Sequence, residues 1–244
     1  MTTPTGSPKF RVVVYSHSDY QDVLAPSLAR LETYNINPII LYDRISPKLP
    51  AATEYIPYND SLTYRERVSS SLKKIDWEEY VLFMHEDFIL YGQPDWKRLD
   101  VYMDMLESTP MSFVRLLKCG EIGGDPNRFW KGLHHFPEES NHIFAIQASI
   151  WKREKLIEVY EKTPGNTIWD FEENAQAYCH ENNIHGMFHY NGENKRGLVH
   201  WDSNVWPYMA TAVLKGKWNM SEYREELLEL FSEHDIDPMV RGIV

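Results

Sequence analysis

The sequence predicts an α/β protein in which one sheet is flanked by helices within a single domain. Three observations predict it. Strand-like apolar runs alternate with helix-spaced segments along residues 10–90, and that alternation calls for parallel strands joined by right-handed crossovers. The run Val81-Leu-Phe-Met84 is unbroken in its apolar character, as suits a strand buried on both faces. Of the 244 residues, 43% are hydrophobic and 14% aromatic, ample for a packed core and contrary to disorder.

Residues 10–15, Phe-Arg-Val-Val-Val-Tyr, read as the first strand, which ends in the polar loop Ser16-His-Ser-Asp-Tyr20. Residues 22–34 carry Leu24, Leu28 and Leu31 at helical spacing, and residues 38–42 form a second strand that stops at Asp43. A Pro-rich connection over 46–57 leads to a helix over 61–74, in which Tyr64, Val68, Leu72 and Ile75 repeat every three or four residues. The central strand follows and runs into His85, Glu86 and Asp87. Beyond Gly92, a helix over 95–107 with Leu99, Met103 and Leu106 on one side precedes a strand over 111–117. Residues 118–141 form a long loop rich in Gly, Pro, His and aromatics, a length that tends to be functional. A strand over 142–149, a helix over 152–162, a helix opening at Trp169 and a last helix over 221–233, with Leu227, Leu228 and Phe231 inward, complete the order. The chain thus divides into a flexible start (1–9), a nucleotide-binding half (10–92), an acceptor half of the same domain (93–220), and a C-terminal helix and tail (221–244).

The formal net charge of −11 disfavours nucleic acid or an anionic membrane as partner, since both require a cationic face. No apolar stretch approaches the length of a membrane span, and residues 1–9 carry no apolar targeting core, so a cytoplasmic location is expected. Cys119 and Cys179 lie far apart and read as free thiols of a reducing compartment.

Ligands of parallel sheets bind beyond the carboxyl ends of the strands, which is where His85, Glu86 and Asp87 fall. In an extended chain His85 and Asp87 share a face, and together they suit a divalent cation through nitrogen and oxygen. The loop after the first strand lacks a Gly-rich fingerprint, so neither a dinucleotide nor a P-loop site is indicated. Tyr15 and Ser16 are instead suited to a base and ribose, Asp43 to a ribose hydroxyl, and Arg65 or Arg67 to a base or phosphate. A second acidic cluster, Asp170, Glu172 and Glu173, stands among Trp169 and Phe171, and a carboxylate against aromatic rings is desolvated and becomes a better base near neutral pH. A third, Gly197-Leu-Val-His200-Trp-Asp-Ser-Asn-Val-Trp-Pro-Tyr208, sets a His and an Asp among Trp201, Trp206 and Tyr208, as a sugar site would.

Taken together, these clusters resemble the nucleotide-sugar-dependent glycosyltransferases of the GT-A fold, over roughly residues 10–210. His85-Glu86-Asp87 stands where that family carries an Asp-x-Asp motif, with His85 at its first acidic position. Trp169-Asp-Phe-Glu-Glu173 stands where the family carries an acidic motif at a helix start. The resemblance implies a Rossmann-like mixed sheet. It also implies a divalent metal (Mn or Mg) held by Asp87, with His85 and a late His200 as further ligands, and donor contacts from Glu86 and Asp87. Glu172 or Asp170 becomes the base of an inverting transfer from a UDP- or GDP-linked sugar to a glycan or glycoconjugate hydroxyl, and Trp169 and Trp201 face the acceptor. The alternatives are a metal-dependent hydrolase or pyrophosphatase acting on nucleotide sugars through His85, Asp87 and His200, and a non-catalytic sugar-binding protein using the tryptophans alone.

Overall fold

The computed structural model describes residues 9–44, 54–120 and 123–244. All but Lys9 of the expected flexible start, and residues 46–53 of the expected connection, lie outside the described residues.

Within the described residues, β1 (Arg11–Tyr15), β2 (Ile39–Tyr42), β3 (Glu54–Pro57) and β4 (Tyr80–His85) run parallel in the spatial order β3-β2-β1-β4. The same sheet continues through β7 (Ser149–Lys152), β5 (Phe113–Arg115), β8 (Gly186–His189) and β6 (Leu133–His135). β7 is antiparallel to both β4 and β5, β5 is parallel to β8, and β6 is antiparallel to β8. The carboxyl ends of β1, β4, β5 and β8 therefore all open on one side, and the expected mixed α/β sheet flanked by helices is what the chain forms.

Side-chain alternation along the strands divides the core. Val12, Val14, Leu82 and Met84 point to one face, covered by α1 (Gln21–Thr33) and α3 (Trp96–Ser108) through Leu24, Leu28, Leu31, Leu99, Met103 and Leu106. Val13, Tyr15, Val81 and Phe83 point to the other, beneath α2 (Tyr64–Leu72), α4 (Arg153–Lys162) and α5 (Ile168–Glu181). Thr63 and Glu66 form a capping box on α2, as Thr167 and Asp170 do on α5. A third cluster packs Val23, Ile89, Trp218 and Tyr223 against Leu227, Leu230 and Phe231 of α6 (Arg224–His234). Leu228 points out, 49% exposed, because α6 turns its 227/230/231 stripe inward and 228 falls beyond that stripe.

Short pairs β9 (Lys195–Arg196) with β10 (His200–Trp201), and β11 (Val213–Leu214) with β12 (Lys217–Trp218), border the sheet, and α7 (Pro238–Arg241) packs beside β12. No helix among the described residues is long and apolar enough to cross a membrane.

Four strand expectations shift. β3 lies in the segment read as connection, with only Ile56 of its residues buried. The strand expected over 142–149 begins only at Ser149, and the residues before it spend their N–H groups on side chains. β6 interrupts the expected loop, and β8 joins the sheet from a segment given no element, because its Gly-Met-Phe-His composition lacks β-branched residues.

Candidate functional site

His85 is the last residue of β4 and emerges on the face shared with α2, α4 and α5. Its ring stacks on Phe88 with centroids 5.6 Å apart and lies 5.3 Å from Tyr15. Nε2 lies 2.8 Å from the Tyr64 hydroxyl, which in turn lies 3.0 Å from the Tyr160 hydroxyl. Desolvation lowers the His85 pKa to about 3, so the imidazole is neutral at pH 7.

The strand stops at His85, and Phe88 donates its N–H to the His85 carbonyl at 3.1 Å, closing a turn over Glu86 and Asp87. Strand alternation consequently does not carry through to Asp87. The expected His85–Asp87 pair gives way to an adjacent Glu86–Asp87 pair that interacts electrostatically. Burial raises the Asp87 pKa to about 7 against the pull of the Val213 N–H, and burial followed by the Asp87 charge holds Glu86 well above the usual carboxylate range. Glu86 is 8% exposed and its Oε2 has no hydrogen-bond partner. The nearby cation is Arg241 of α7, which is bound to Asp22 at the start of α1 and lies 4.9 Å from the Tyr20 ring.

Glu172 is the second half-buried acid of the region, on α5. α5 carries Phe171 inward, where it stacks on Tyr160 with centroids 4.4 Å apart, and Glu172 accepts the Ile146 N–H at 2.7 Å. Burial raises the Glu172 pKa, while the Ile146 N–H and the Arg115 charge oppose the rise. Its charge in turn raises the pKa of Tyr64 and Tyr160, so Glu172 lies within electrostatic reach of the Tyr64–Tyr160 pair that His85 adjoins.

The flanking residues part company with Glu172. Trp169 is 76% exposed and faces solvent, and exposed Asp170 spends its carboxylate and N–H on the Thr167 cap. The desolvation expected of Asp170 does not arise, because the first turn of α5 buries Phe171 and leaves its neighbours outside.

His200 stands one layer away. Its Nε2 pairs with the Gln147 amide at 3.1 Å and its Nδ1 with the Thr211 hydroxyl at 3.3 Å, and burial lowers its pKa to about 4. Trp206 and Tyr208 are fully buried core residues, so the expected aromatic surface there reduces to Trp201. Trp201 is itself buried, with the Lys118 and Lys195 ammonium groups 4.3 and 5.0 Å from its ring centroid.

In the half expected from the sequence to bind the nucleotide, Asp43 accepts both the N–H and the hydroxyl of Ser18 at 2.7 Å, which fixes the loop after β1. Tyr15 stacks on Tyr58 at 5.4 Å, and Tyr58 donates to the carbonyl of buried Ser16. Arg67 donates to the Leu62 carbonyl and pairs with Asp60, so it braces this loop. Arg65 reaches the Glu161 carbonyl on α4.

Among the described residues no three His, Cys, Asp or Glu side chains stand together as a metal-binding group, so His85, Asp87 and His200 do not form one. The Glu86–Asp87 pair does suit a hard cation that takes one or two carboxylates and completes its shell with phosphate and water. The orphaned Glu86 oxygen and the raised pKa of both acids are what such a pair shows before a cation neutralises it.

Four polar residues of this region were not singled out as functional from the sequence. Tyr64 and Tyr160 repeat at core spacing, and only their pairing across α2 and α4 gives them a polar role. Gln147 links His200, Tyr208 and the Ala210 carbonyl. Arg115, fully buried at the end of β5, donates to the carbonyls of Leu117 and His142 and leaves Nη2 unpaired. The signal available was an arginine inside the apolar run Phe113-Val-Arg-Leu-Leu117, since arginine is rarely buried without a purpose.

No protein-family model and no curated protein matches the chain in sequence. Solved structures do match it. A CMP:2-keto-3-deoxy-manno-octonic acid synthetase complexed with CTP is 12% identical, with a TM-score of 0.46 over 73% of this chain and 88% of its own. A cytidylyltransferase from Leptospira borgpetersenii is 13% identical, with a TM-score of 0.46 over 94% of this chain and 96% of its own. A 4-diphosphocytidyl-2C-methyl-D-erythritol synthase from Anaerococcus prevotii is 13% identical, with a TM-score of 0.38 over 63% of this chain and 76% of its own.

Proposed function

We propose that the chain is a glycosyltransferase that moves a sugar from a nucleoside-diphosphate donor, UDP- or GDP-linked, to an acceptor hydroxyl with inversion. The observation that carries this reading is the polar chain His85–Tyr64–Tyr160, which starts beside the Glu86–Asp87 pair at the end of β4 and lies within electrostatic reach of Glu172 at its other end.

A divalent metal held by Asp87 with Glu86 beside it would supply positive charge to the departing diphosphate. The remaining work falls to the chain's own side chains. The raised pKa of Glu172 keeps it basic enough to take the proton of an acceptor hydroxyl near neutral pH. The Ile146 N–H holds its Oε1, leaving the other oxygen to meet that hydroxyl. Tyr64, pinned between His85 and Tyr160, keeps the base and the acidic pair at a fixed separation. The rim formed by Tyr15, Ser16 and the Asp43-braced loop is the donor's base and ribose side. A single half-buried carboxylate on the acceptor side favours one in-line displacement, hence inversion. The hydrolase alternative needs a joint site of His85, Asp87 and His200, which the described residues do not bring together.

Calorimetric titration with UDP, GDP, TDP, CMP and CTP, each with and without manganese, tests the donor half. Metal-dependent binding of a nucleoside diphosphate, followed by nucleotide release that requires both donor sugar and acceptor, is the expected result. Binding of none of them would sink the reading.

A further inference from the structure

A cleft opens at the far edge of the sheet, beyond the carboxyl end of β8. Its volume is ≈ 510 Å³, and its walls are the turn before β6 and the segment leaving β8. β8 is parallel to β5, and Tyr190 just beyond it donates its N–H to the Gly132 carbonyl at 2.9 Å, so the cleft continues the carboxyl-end surface. A volume of this order suits a small ligand such as a sugar.

The charge of the cleft opposes that of the chain. Net charge is −11, yet exposed Arg128 and Lys131 line the cleft, and among the described residues neither has a carboxylate partner. The turn that presents them is fixed: the Asn127 side-chain oxygen accepts the N–H groups of Phe129 and Trp130 at 2.8 and 2.9 Å. Arg128 thus sits on a pre-organised turn, and the half-buried Tyr190 lines the cleft with it. The other polar walls are already engaged, since both His134 nitrogens lie against backbone carbonyls, those of Gly124 and Tyr190. A cationic pair in a cleft with an aromatic ring in its wall recognises a negative group on a body with an apolar face, which describes an anionic sugar.

The cleft is also linked to the central site. The Lys118 ammonium lies 4.8 Å from the Tyr190 ring centroid and 4.3 Å from that of Trp201, and Trp201 follows His200, which pairs with Gln147. The ring of Tyr190 in the cleft wall is therefore joined to the layer behind Glu172 by one shared cation.

We propose that this cleft binds the anionic group, phosphate or carboxylate, of a saccharide acceptor, with Arg128 and Lys131 as its cations and Tyr190 against the ring. The word acceptor rests on the transferase reading; the binding does not.

The test is calorimetric titration of the full chain, without nucleotide, using glucose 6-phosphate, glucuronate, glucose and inorganic phosphate. At least one of the two anionic sugars should bind, more tightly than glucose or phosphate and less tightly as salt rises. Which one binds names the anion. The double variant R128A/K131A should weaken that binding about tenfold, at up to ~1 kcal/mol for each exposed ion pair. Y190A should weaken the anionic sugar while leaving phosphate unchanged. Circular dichroism checks that the surface variants fold. Equal affinity for glucose and the anionic sugars, phosphate binding as tightly as glucose 6-phosphate, or undiminished binding by the double variant would each overturn the proposal. Nucleotide titration separates the two failures. A chain that binds a nucleoside diphosphate but no anionic sugar keeps the transferase reading and loses the cleft. A chain that binds the sugar through Arg128 and Lys131 but no nucleotide keeps the cleft and loses the transferase.

Discussion

The Tyr64 hydroxyl lies 2.8 Å from Nε2 of His85 and 3.0 Å from the Tyr160 hydroxyl. These three side chains belong to α2, β4 and α4, so one polar chain ties two helices to the end of the central strand. Around it the packing is aromatic: Tyr15, Phe83, Phe88 and Phe171 all stand within ring contact of its members. A polar chain in such surroundings is costly to break, because the freed partners find no water.

Tyr64→Phe removes the shared hydroxyl and strands both His85 and Tyr160. The expected cost is ~1–3 kcal/mol of stability, read as a lower denaturant midpoint at unchanged slope. A midpoint equal to that of the parent would show that the tyrosine holds nothing together.

Glu172→Gln retains an oxygen to accept the Ile146 N–H and removes only the ability to take a proton. Turnover should fall by about 10²–10⁴-fold while donor affinity stays the same. Under the transferase reading, the rate of the parent should climb as pH rises through the raised Glu172 pKa, because the base works only when ionised. The residual activity of the variant should lack that climb. Rates within twofold of the parent would move the base elsewhere.

The acidic pair makes stability depend on pH. With its folded pKa near 7, Asp87 contributes stability that is complete below the ordinary carboxylate pKa and is lost as pH rises through about 7. His85 and His200, held neutral with pKa values of about 3 and about 4, act in the opposite sense, and their contribution is lost as pH falls through those values. Asp87→Asn should accordingly melt higher than the parent at pH 8 and level with it at pH 4. Manganese should raise the parent's melting temperature at pH 8, have little effect at pH 5, and leave the variant largely unmoved. A melting curve for Asp87→Asn that tracks the parent at every pH would refute the buried acid.

Phe171 is fully buried against Tyr160 and positions the helix turn that carries Glu172. Phe171→Ala should cost ~3–5 kcal/mol through the cavity it leaves, and should also lower turnover by tilting the carboxylate. Glu172→Gln, by contrast, should spare stability. Thermal melts of the two variants side by side separate positioning from chemistry.

The parallel half of the sheet was legible in the sequence because its strands are continuous apolar runs and its helices repeat Leu24, Leu28 and Leu31, or Val68 and Leu72, at helical spacing. The antiparallel half was less so. Gly186-Met-Phe-His189 has no β-branched residue, and β3 buries only Ile56, so neither carries a strand's local signature. The segment 142–148 has the apolar content of a strand but serves as a wall, donating to Glu172 and Gln176. At the site, the acids of both motifs were legible as clusters, yet which acid is buried was not. Glu172 and Asp170 differ by two positions on α5, and the helix turn alone decides that one is desolvated and the other caps Thr167. Arg115 and the Tyr64–Tyr160 link depend on contacts between distant segments, which no local pattern reports.

β7 enters the sheet between β4 and β5, against the direction of both. Two strand spacings, ~10 Å, then separate the carboxyl ends of its neighbours, and the chain leading into β7 fills the floor between them. That floor supplies the Ile146 N–H and the Gln147 amide. Its assembly waits on a strand that pairs with partners as far off in sequence as Tyr80 and Phe113, and such non-local pairing is slow. On refolding from denaturant, helical signal should therefore recover first, and ligand-binding competence should return only when the inserted strand has seated.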